Sequence, residues 1–363
     1  MSAQDMVDGI VHGVDPEFNP VSLRPRREAA SGKVRDVAYL DMRHQQLGHI
    51  LKIGLEKHFD ARIERVQHAS IPGRGQTGLT RQVKRFLNRK LGIRCYQKTD
   101  CTAAYASTMY DVVISLIKKE LPSARWIICC LKTMKNYAPD GHLIIGGYLD
   151  AWLFNYVMSY AIRYVKGLSK SRRGNKIPMI IRVATYMDDV SLFGRAKTAM
   201  MRAVESLISW LWATFHITMR TTTGIIEFES VTEEKRRKAS VSKASRQCPM
   251  LDMGGYKISR THISIRRRNV KKIARCFDRA WVELKNTGTL KRQRACAAIS
   301  RYGMLASSNS YSFCHKHHVF EILRIAKKVQ KYWNRKQKSQ RMERIKNVVK
   351  KHRKHYAAVC CAA

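Results

Sequence analysis

Apolar residues recur along much of this chain at the spacing expected for helices that bury one face. This spacing predicts helices over residues 41–58, 108–120, 152–166 and 196–213. Short apolar runs predict strands over residues 95–100, 177–184 and 190–193. The pattern therefore predicts a chain that contains both helices and strands.

Basic and glycine-containing segments separate these elements. They are a tight basic turn at 31–35, a loop with three glycines at 70–78, a basic connection at 169–176 and a polar excursion at 227–247. The tetrapeptide Tyr186-Met187-Asp188-Asp189 lies between two predicted strands. A short polar step between two apolar runs predicts a hairpin, with the aspartates at its tip.

One stretch, residues 143–162, is apolar enough to resemble a membrane span. It contains Asp150 and Asn155, and a charge near the middle of a bilayer is costly. We therefore predict a loop that leads into a buried helix, and no membrane association. The N-terminus carries Asp5 and Asp8 where a signal peptide would be basic, and the cysteines form no disulfide framework. A cytoplasmic location is expected.

Charge narrows the class of partner. The chain has 363 residues, with 69 Lys and Arg against 27 Asp and Glu, a formal net charge of +42. Residues 246–363 alone hold 30 basic and 5 acidic side chains. Such an excess of positive charge opposes compaction of the chain, so we expect it to serve a polyanionic partner. Because binding to phosphates releases their counterions, a nucleic acid is the expected partner. An anionic membrane surface is the alternative.

Adjacent carboxylates suggest metal chemistry. Asp188 and Asp189 should raise each other's pKa unless a cation shares them, and Mg²⁺ prefers carboxylate oxygens. A third carboxylate, Asp100, ends a separate predicted strand. Three carboxylates on neighbouring strands could hold two metal ions for a phosphoryl transfer. The alternative is that the pair are ordinary turn residues, because Asp is favoured in turns.

Six sequence blocks resemble the reverse transcriptase family in their order and spacing over about residues 20–275. The most specific is Tyr186-Met187-Asp188-Asp189, the family's signature tetrapeptide. The other five are Lys33-Val34-Arg35, Gly73-Arg74-Gly75, Asp100-Cys-Thr-Ala-Ala-Tyr105, Gly146-Gly-Tyr-Leu-Asp-Ala-Trp-Leu-Phe-Asn155 and Met253-Gly254-Gly255-Tyr256.

The resemblance implies a role for each matched residue. Asp100, Asp188 and Asp189 would be the catalytic ligands of two Mg²⁺ ions, with Mn²⁺ as a substitute. The nucleotide-binding residues would be Lys33, Arg35, Tyr105, Gly146 and Asn155, and the primer grip Gly254, Gly255 and Tyr256. Tyr105 would lie under the deoxyribose and exclude a 2′-hydroxyl.

Ordinary structural roles stay open for the nucleotide-binding residues. Lys33 and Arg35 could form a solvated charged turn, and Tyr105 could be a buried aromatic residue at a helix start. Gly146 could serve a simple turn, and Asn155 could be a buried polar residue whose hydrogen bonds are satisfied within the protein.

The sequence departs from the family pattern in three ways. Asp150 and Ala151 replace the usual Ser-Pro or Ser-Gln of the second block, and Ala103 lacks a polar side chain. Arg220 stands nearest the position where many relatives carry a lysine that acts as a general acid. Arginine is a poor proton donor because it hardly deprotonates. None of the three changes removes a predicted metal ligand.

The implied fold is an α+β right-hand polymerase. Fingers and palm, with a small antiparallel sheet backed by helices, would occupy residues 1–262, and a basic helical thumb residues 263–363. Within the thumb, the basic tail at 324–354 would contact phosphates. Separately, Cys314 and His315–His318 form a candidate soft-metal cluster, although no second pair at ligand spacing exists.

The implied function is RNA-directed DNA polymerisation. The partners would be an RNA template, a DNA or RNA primer and deoxynucleoside triphosphates, with a cognate non-coding RNA and an accessory protein as further candidates. The chain length favours standalone bacterial or phage enzymes. The context of the tetrapeptide and the Gly255–His262 stretch resemble the diversity-generating or anti-phage defence kind. The alternative is a non-catalytic RNA-binding protein that retains the fold.

Overall fold

Two compact units make up the chain in this computed structural model. The first comprises Met1–Gly254 with Ser259–Thr261, and the second comprises Gly255–Ile258 with His262–Ala363. The structure describes residues 2–27, 32, 34–88, 91–230, 232–233, 236 and 250–361, with side chains to residue 344. The assignment of these units as fingers, palm and thumb stays a prediction.

The first unit is built on an antiparallel sheet that helices cover. Its helices are α1 (Ala3–Val11), α2 (Met42–Gly54), α3 (Glu56–Arg62), α4 (Gln76–Asn88), α5 (Tyr110–Glu120), α6 (Arg125–Tyr137), α7 (Asp150–Gly167) and α8 (Lys197–Phe215). Its strands are β1 (Ser22–Arg27), β2 (Val34–Tyr39), β3 (Cys95–Cys101), β4 (Ser169–Arg172), β5 (Asn175–Pro178), β6 (Arg182–Tyr186), β7 (Asp189–Gly194), β8 (Met219–Thr221), β9 (Ile226–Glu227) and β10 (Leu251–Met253).

Strand β3 is central to this sheet. The order is β6-β7-β3-β8, and β9 also pairs with β3. Helix α8 packs on β3 and β7, and α7 packs on β6. Twelve of the 18 residues of α7 are buried, as its apolar sequence predicts. Within the part of the chain that the structure describes, no helix combines the length and apolar character needed to cross a bilayer.

Two hairpins stand apart from the main sheet. Among the described strands, β1 and β2 pair only with each other, and so do β4 and β5. The second hairpin corrects the sequence prediction, because residues 169–176 form most of a β-ribbon and not an irregular connection. The strand predicted over 177–184 is also interrupted: β5 ends at Pro178 and β6 begins at Arg182. Proline cannot donate a backbone hydrogen bond to a further strand.

The second unit is mainly helical. A short antiparallel pair, β11 (Tyr256–Ile258) and β12 (Ile263–Ile265), precedes four helices. They are α9 (Arg267–Thr287), α10 (Arg292–Ala306), α11 (Tyr311–Lys316) and α12 (Val319–Cys361). Helix α12 is packed over its first turns, where Val319, Ile322 and Ala326 are buried, and every described side chain from 334 to 344 is exposed.

Candidate active site

A row of charged residues crosses the central sheet. Asp100 on β3 lies directly opposite Asp189 on β7 and directly opposite Arg220 on β8. Residues opposite each other in antiparallel strands point to the same face of the sheet. Lys98, two residues before Asp100, shares that face by the same alternation. The sheet therefore collects two carboxylates and two cations on one face.

The hairpin between β6 and β7 places the third carboxylate beside this row. Tyr186 pairs with Asp189, which leaves only Met187 and Asp188 in the turn. Met187 adopts a left-handed backbone with φ +56°, a conformation that costs about 1 kcal/mol or more for a residue other than glycine. The amide of Cys101 donates to the carbonyl of Asp188 at 3.1 Å. This bond ties the tip to the end of β3, next to Asp100.

Burial and like charges act together on Asp188. Desolvation, followed by the charges of Asp189 and Asp100, raises the pKa of Asp188 to about 6, and Arg35 partly opposes this shift. Burial likewise raises the pKa of the Cys101 thiol well above its usual range, and the three carboxylates add to that shift. The tip is therefore a place where an additional positive charge would be stabilised.

Protein cations already contact two of the three carboxylates. Lys98 Nζ lies 2.6 Å from Asp189 Oδ1, and Arg220 Nη2 lies 3.5 Å from Asp100 Oδ2. Among the described residues, no three or more His, Cys, Asp or Glu side chains converge as a ready metal site. Lys98 is not among the residues predicted from the sequence. Its position two residues before Asp100 on a predicted strand was the available signal, because that spacing places both side chains on one face.

A cleft of about 390 Å³ contains two of the predicted nucleotide-binding residues, Arg35 and Tyr105. The loop at 142–145 forms another wall. The Tyr105 ring stacks on Phe154 with centroids 5.6 Å apart. Burial raises the pKa of Tyr105 well above its usual range, with contributions from Asp150 and Asp188, while Arg35 opposes them. Arg35 and Tyr105 thus line one cleft, and each interacts electrostatically with Asp188, although Asp100, Asp188 and Asp189 are not among the residues that line it.

The other predicted nucleotide-binding residues have different surroundings. Lys33 lies outside the described residues. Gly146 has φ +115°, and a Cβ added there would come within 2.7 Å of the carbonyl oxygen of Ala38 on β2. The amide of Ala38 also donates to the carbonyl of Ile145 at 2.7 Å. Gly146 therefore allows its loop to approach the β1–β2 hairpin closely.

Asn155 is 1% exposed, and its side-chain hydrogen bonds go to other parts of the first unit. Its amide donates to the carbonyl of Ala69 at 3.0 Å and to that of Ala151 at 2.9 Å, and Gln67 donates to its backbone carbonyl at 2.7 Å. The bonds with Ala69 and Gln67 join α7 to the segment before the glycine-rich loop, and the bond to Ala151 lies within α7. They match the structural alternative that the sequence left open.

Asp150 is fully buried at the start of α7 and organises the loop beside the cleft. Its Oδ1 accepts from the hydroxyl of Tyr110 at 3.0 Å and from the amide of Ile144 at 2.9 Å. Its Oδ2 is buried and accepts no hydrogen bond from a described residue. A Cβ added at Gly147 would lie 1.9 Å from this oxygen. The departure from the family pattern at this position is therefore a structural carboxyl, and the adjacent glycine makes room for it.

Asp150→Asn should change how stability depends on pH. Burial raises the pKa of Asp150 to about 6, so the folded protein holds this proton more tightly than the unfolded chain. The stability that this group contributes is present at low pH and is lost as the pH rises through about 6. Between pH 5 and 8 the loss amounts to about 1 kcal/mol.

Urea unfolding at pH 5 and pH 8 measures this effect. The free energy of unfolding of the wild type, relative to that of Asp150→Asn, should fall by about 1 kcal/mol across that range. Asp111→Asn is the control, because this carboxylate on α5 is half-exposed and pairs with Lys135. Parallel pH profiles for the wild type and Asp150→Asn would contradict the prediction.

The predicted primer-grip residues lie around the boundary between the two units in sequence. Gly254 has φ +56° and belongs to the first unit. Gly255 has φ +87°, and a Cβ there would come within 2.8 Å of Asn269 Nδ2 within the second unit. Tyr256 is 1% exposed and pairs with Ile265. Its side chain is therefore buried, on a strand of the second unit.

The candidate soft-metal cluster does not assemble among the described residues. Cys314 is buried. His317 Nδ1 lies 2.6 Å from Asp278 Oδ1, and His318 stacks on Trp281 with centroids 3.9 Å apart. These histidines hold α9 and the start of α12 through separate contacts.

Comparisons with known proteins give only loose likenesses. No protein-family model and no curated protein matches the chain. Similar solved structures include telomerase from Candida tropicalis truncated from its C-terminal domain (9% identity, TM-score 0.44), which covers 68% of this chain. Telomerase from Candida albicans in complex with a fragment of telomeric RNA has 10% identity and a TM-score of 0.44. Apo telomerase from Candida tropicalis has 9% identity and a TM-score of 0.45. Each of these two structures covers 90% of this chain.

This chain spans 54%, 61% and 67% of those three chains, in the same order. A likeness at these TM-scores is too loose to transfer a fold or a function.

Proposed function

We propose that this protein is an RNA-directed DNA polymerase of the reverse transcriptase type. The observation that supports this most strongly is the register of the central sheet, which sets Asp100 opposite Asp189 and ties Asp188 to the end of β3. The cleft with Arg35 and Tyr105 supports the nucleotide-binding half of the proposal. The resemblance of the six sequence blocks to reverse transcriptases indicates which reaction we propose, RNA-directed DNA polymerisation.

The carboxylates at the tip have the chemistry that Mg²⁺ prefers. Asp100, Asp188 and Asp189 would hold two such ions, since oxygen donors suit a hard cation and an added positive charge would relieve the raised pKa of Asp188. Bound ions would polarise the reacting phosphate and the attacking hydroxyl. Lys98 and Arg220 compensate Asp189 and Asp100 when no such ion is present.

The remaining residues would bind and orient the reactants. The guanidinium of Arg35 would neutralise the triphosphate as charge develops during transfer. The Tyr105 ring, held in place by Phe154, would lie against the sugar. The primer 3′-hydroxyl would attack the incoming deoxynucleotide and release pyrophosphate. An RNA template selects the nucleotide by base pairing, so the protein itself need only recognise backbone and sugar.

Primer extension tests this proposal directly. The full chain, with a DNA primer annealed to an RNA template and all four deoxynucleoside triphosphates, should extend the primer with Mg²⁺ and stop with EDTA. RNA binding without extension at any divalent metal tested would favour the non-catalytic RNA-binding alternative instead.

We also propose that the enzyme acts in a standalone prokaryotic or phage element, in diversity generation or anti-phage defence. The context of the signature tetrapeptide and the Gly255–His262 stretch support this through their resemblance to such enzymes. The flanking DNA distinguishes the two roles. A template repeat beside a variable gene indicates diversity generation, and a structured RNA with phage-linked toxicity indicates defence.

A further inference from the structure

The β4–β5 hairpin, which we call the basic ribbon, comprises residues 169–178. Its two strands pair in register from Ser169–Pro178 to Arg172–Asn175. Arg173 and Gly174 form the two-residue turn, and both have positive φ, at +50° and +77°. Two positive φ angles are the geometry of the turn that matches the twist of paired strands. The ribbon is therefore a regular hairpin.

Among the described residues, the backbone hydrogen bonds that connect the ribbon to the rest of its unit lie at its base. The amide of Met179 donates to the carbonyl of Leu168 at 2.9 Å, and the amide of Ile181 donates to that of Phe193 at 2.8 Å. Neither strand pairs with any other described strand. A Cβ added at Gly174 would meet no atom within 4 Å. The turn of the ribbon therefore projects into solvent. Its base continues through β6 to the β6–β7 hairpin.

Four cations lie on this projection, at Lys170, Arg172, Arg173 and Lys176. None of these side chains forms a hydrogen bond or an ion pair with a described residue. Residues 151–187 contain no Asp or Glu that could compensate them locally. Like charges on a two-stranded hairpin repel each other, and an isolated hairpin is only marginally stable. The fold therefore gains nothing from these charges, and a polyanion would offset their repulsion.

The side chains also indicate which part of a polyanion would bind. Lys170 and Arg172 share one face of the ribbon and stand about 7 Å apart along the strand, while Lys176 lies on the other face. Residues 165–185 contain no aromatic side chain on which a base could stack. Contacts of this kind reach phosphates and carry no sequence information.

We propose that the basic ribbon binds the phosphate backbone of the single-stranded RNA on which the enzyme works. The proposal rests on the proposed function only in taking RNA as the substrate. The ribbon would add a second electrostatic contact outside the cleft of Arg35 and Tyr105. It would hold the strand without reading its bases.

The test removes the four charges and keeps the hairpin. The ribbon variant is Lys170→Gln, Arg172→Gln, Arg173→Asn and Lys176→Gln, with Asn chosen because it tolerates a left-handed backbone. The control variant removes four exposed cations of α5 and α6, as Lys118→Gln, Lys119→Gln, Arg125→Gln and Lys132→Gln. Fluorescence anisotropy with two unrelated 20-nucleotide RNAs at increasing KCl gives the slope of log K against log salt.

Two to four lost phosphate contacts should reduce the magnitude of this slope by about 1.4 to 2.8 for a single strand. If affinity at 1 M salt is unchanged, affinity at 0.1 M should fall about 25- to 600-fold for both RNAs. The control should change the slope by less than about 0.7, the value of one contact. The single variant Arg173→Asn, which favours the turn, should remove about one contact without loss of thermal stability.

Three results would overturn the proposal. They are an unchanged slope in the ribbon variant, an equal change in the control variant, and loss of binding to anionic vesicles with the RNA slope intact. Primer extension on the same preparations separates this proposal from the proposed function. If the ribbon variant keeps the wild-type salt slope and the wild-type extension rate, only the proposal for the ribbon is contradicted. If the ribbon variant has a reduced slope but the wild type never extends primers, the proposed polymerase function is contradicted instead.

Discussion

Asp188→Asn should lower primer extension at least about 100-fold while leaving RNA affinity within about twofold. The substitution keeps the size of the side chain and removes the charge that would hold a metal ion, and metal ligation contributes several kcal/mol to a transition state of this kind. A loss of 2.7 kcal/mol corresponds to about 100-fold in rate. Single-turnover extension rates and RNA binding by anisotropy measure the two quantities separately.

Asp60→Asn is the matched control for this variant. Asp60 is an exposed carboxylate on α3 in the same unit, outside the charged row of the sheet. We expect it to extend primers at the wild-type rate. If Asp188→Asn extends primers as fast as this control, the tip of the β6–β7 hairpin does not carry the chemistry.

Tyr105→Ala should raise ribonucleotide incorporation relative to deoxynucleotide incorporation by about 10- to 200-fold. This is the range that a single steric contact in a pocket provides, about 1–3 kcal/mol. The structure gives the reason, because the ring lines the cleft with Arg35 and is held there by Phe154. The ratio of kcat/KM for a ribonucleotide and its deoxynucleotide measures the effect.

The variant Tyr105→Phe distinguishes the role of the ring from that of the hydroxyl, because it keeps the ring and removes the hydroxyl. We expect this variant to discriminate between the two sugars as the wild type does, because the ring supplies the steric contact. An unchanged ratio in an active Tyr105→Ala enzyme would make Tyr105 a packing residue at the edge of the core, which is the alternative that the sequence left open.

Much of the first unit could be predicted from local patterns. The helices expected over 108–120, 152–166 and 196–213 are confirmed as α5, α7 and α8, with ends shifted by one or two residues. Strand β3 and the hairpin of the signature tetrapeptide are also confirmed. In each of these the period of apolar residues and the local turn chemistry agree, so no long-range information was needed.

The basic ribbon shows where local reasoning failed. Residues 169–178 have few apolar positions, so no period of two was visible in the sequence. The hairpin forms because Arg173 and Gly174 close a tight turn and because its base is bonded to Leu168 and Phe193. The second of those bonds joins segments that only the folded sheet brings together.

Residue type and spacing were enough to predict the candidate ligands, most of the helices and strands, and a polyanionic partner. Which residues face one another depends on the folded chain. Strand register set Asp100 between Asp189 and Arg220 and brought Lys98 to Asp189. Packing buried Asn155 and Asp150 and left Arg35 and Tyr105 at one cleft. Register and burial arise from contacts between distant segments, and no local pattern encodes them.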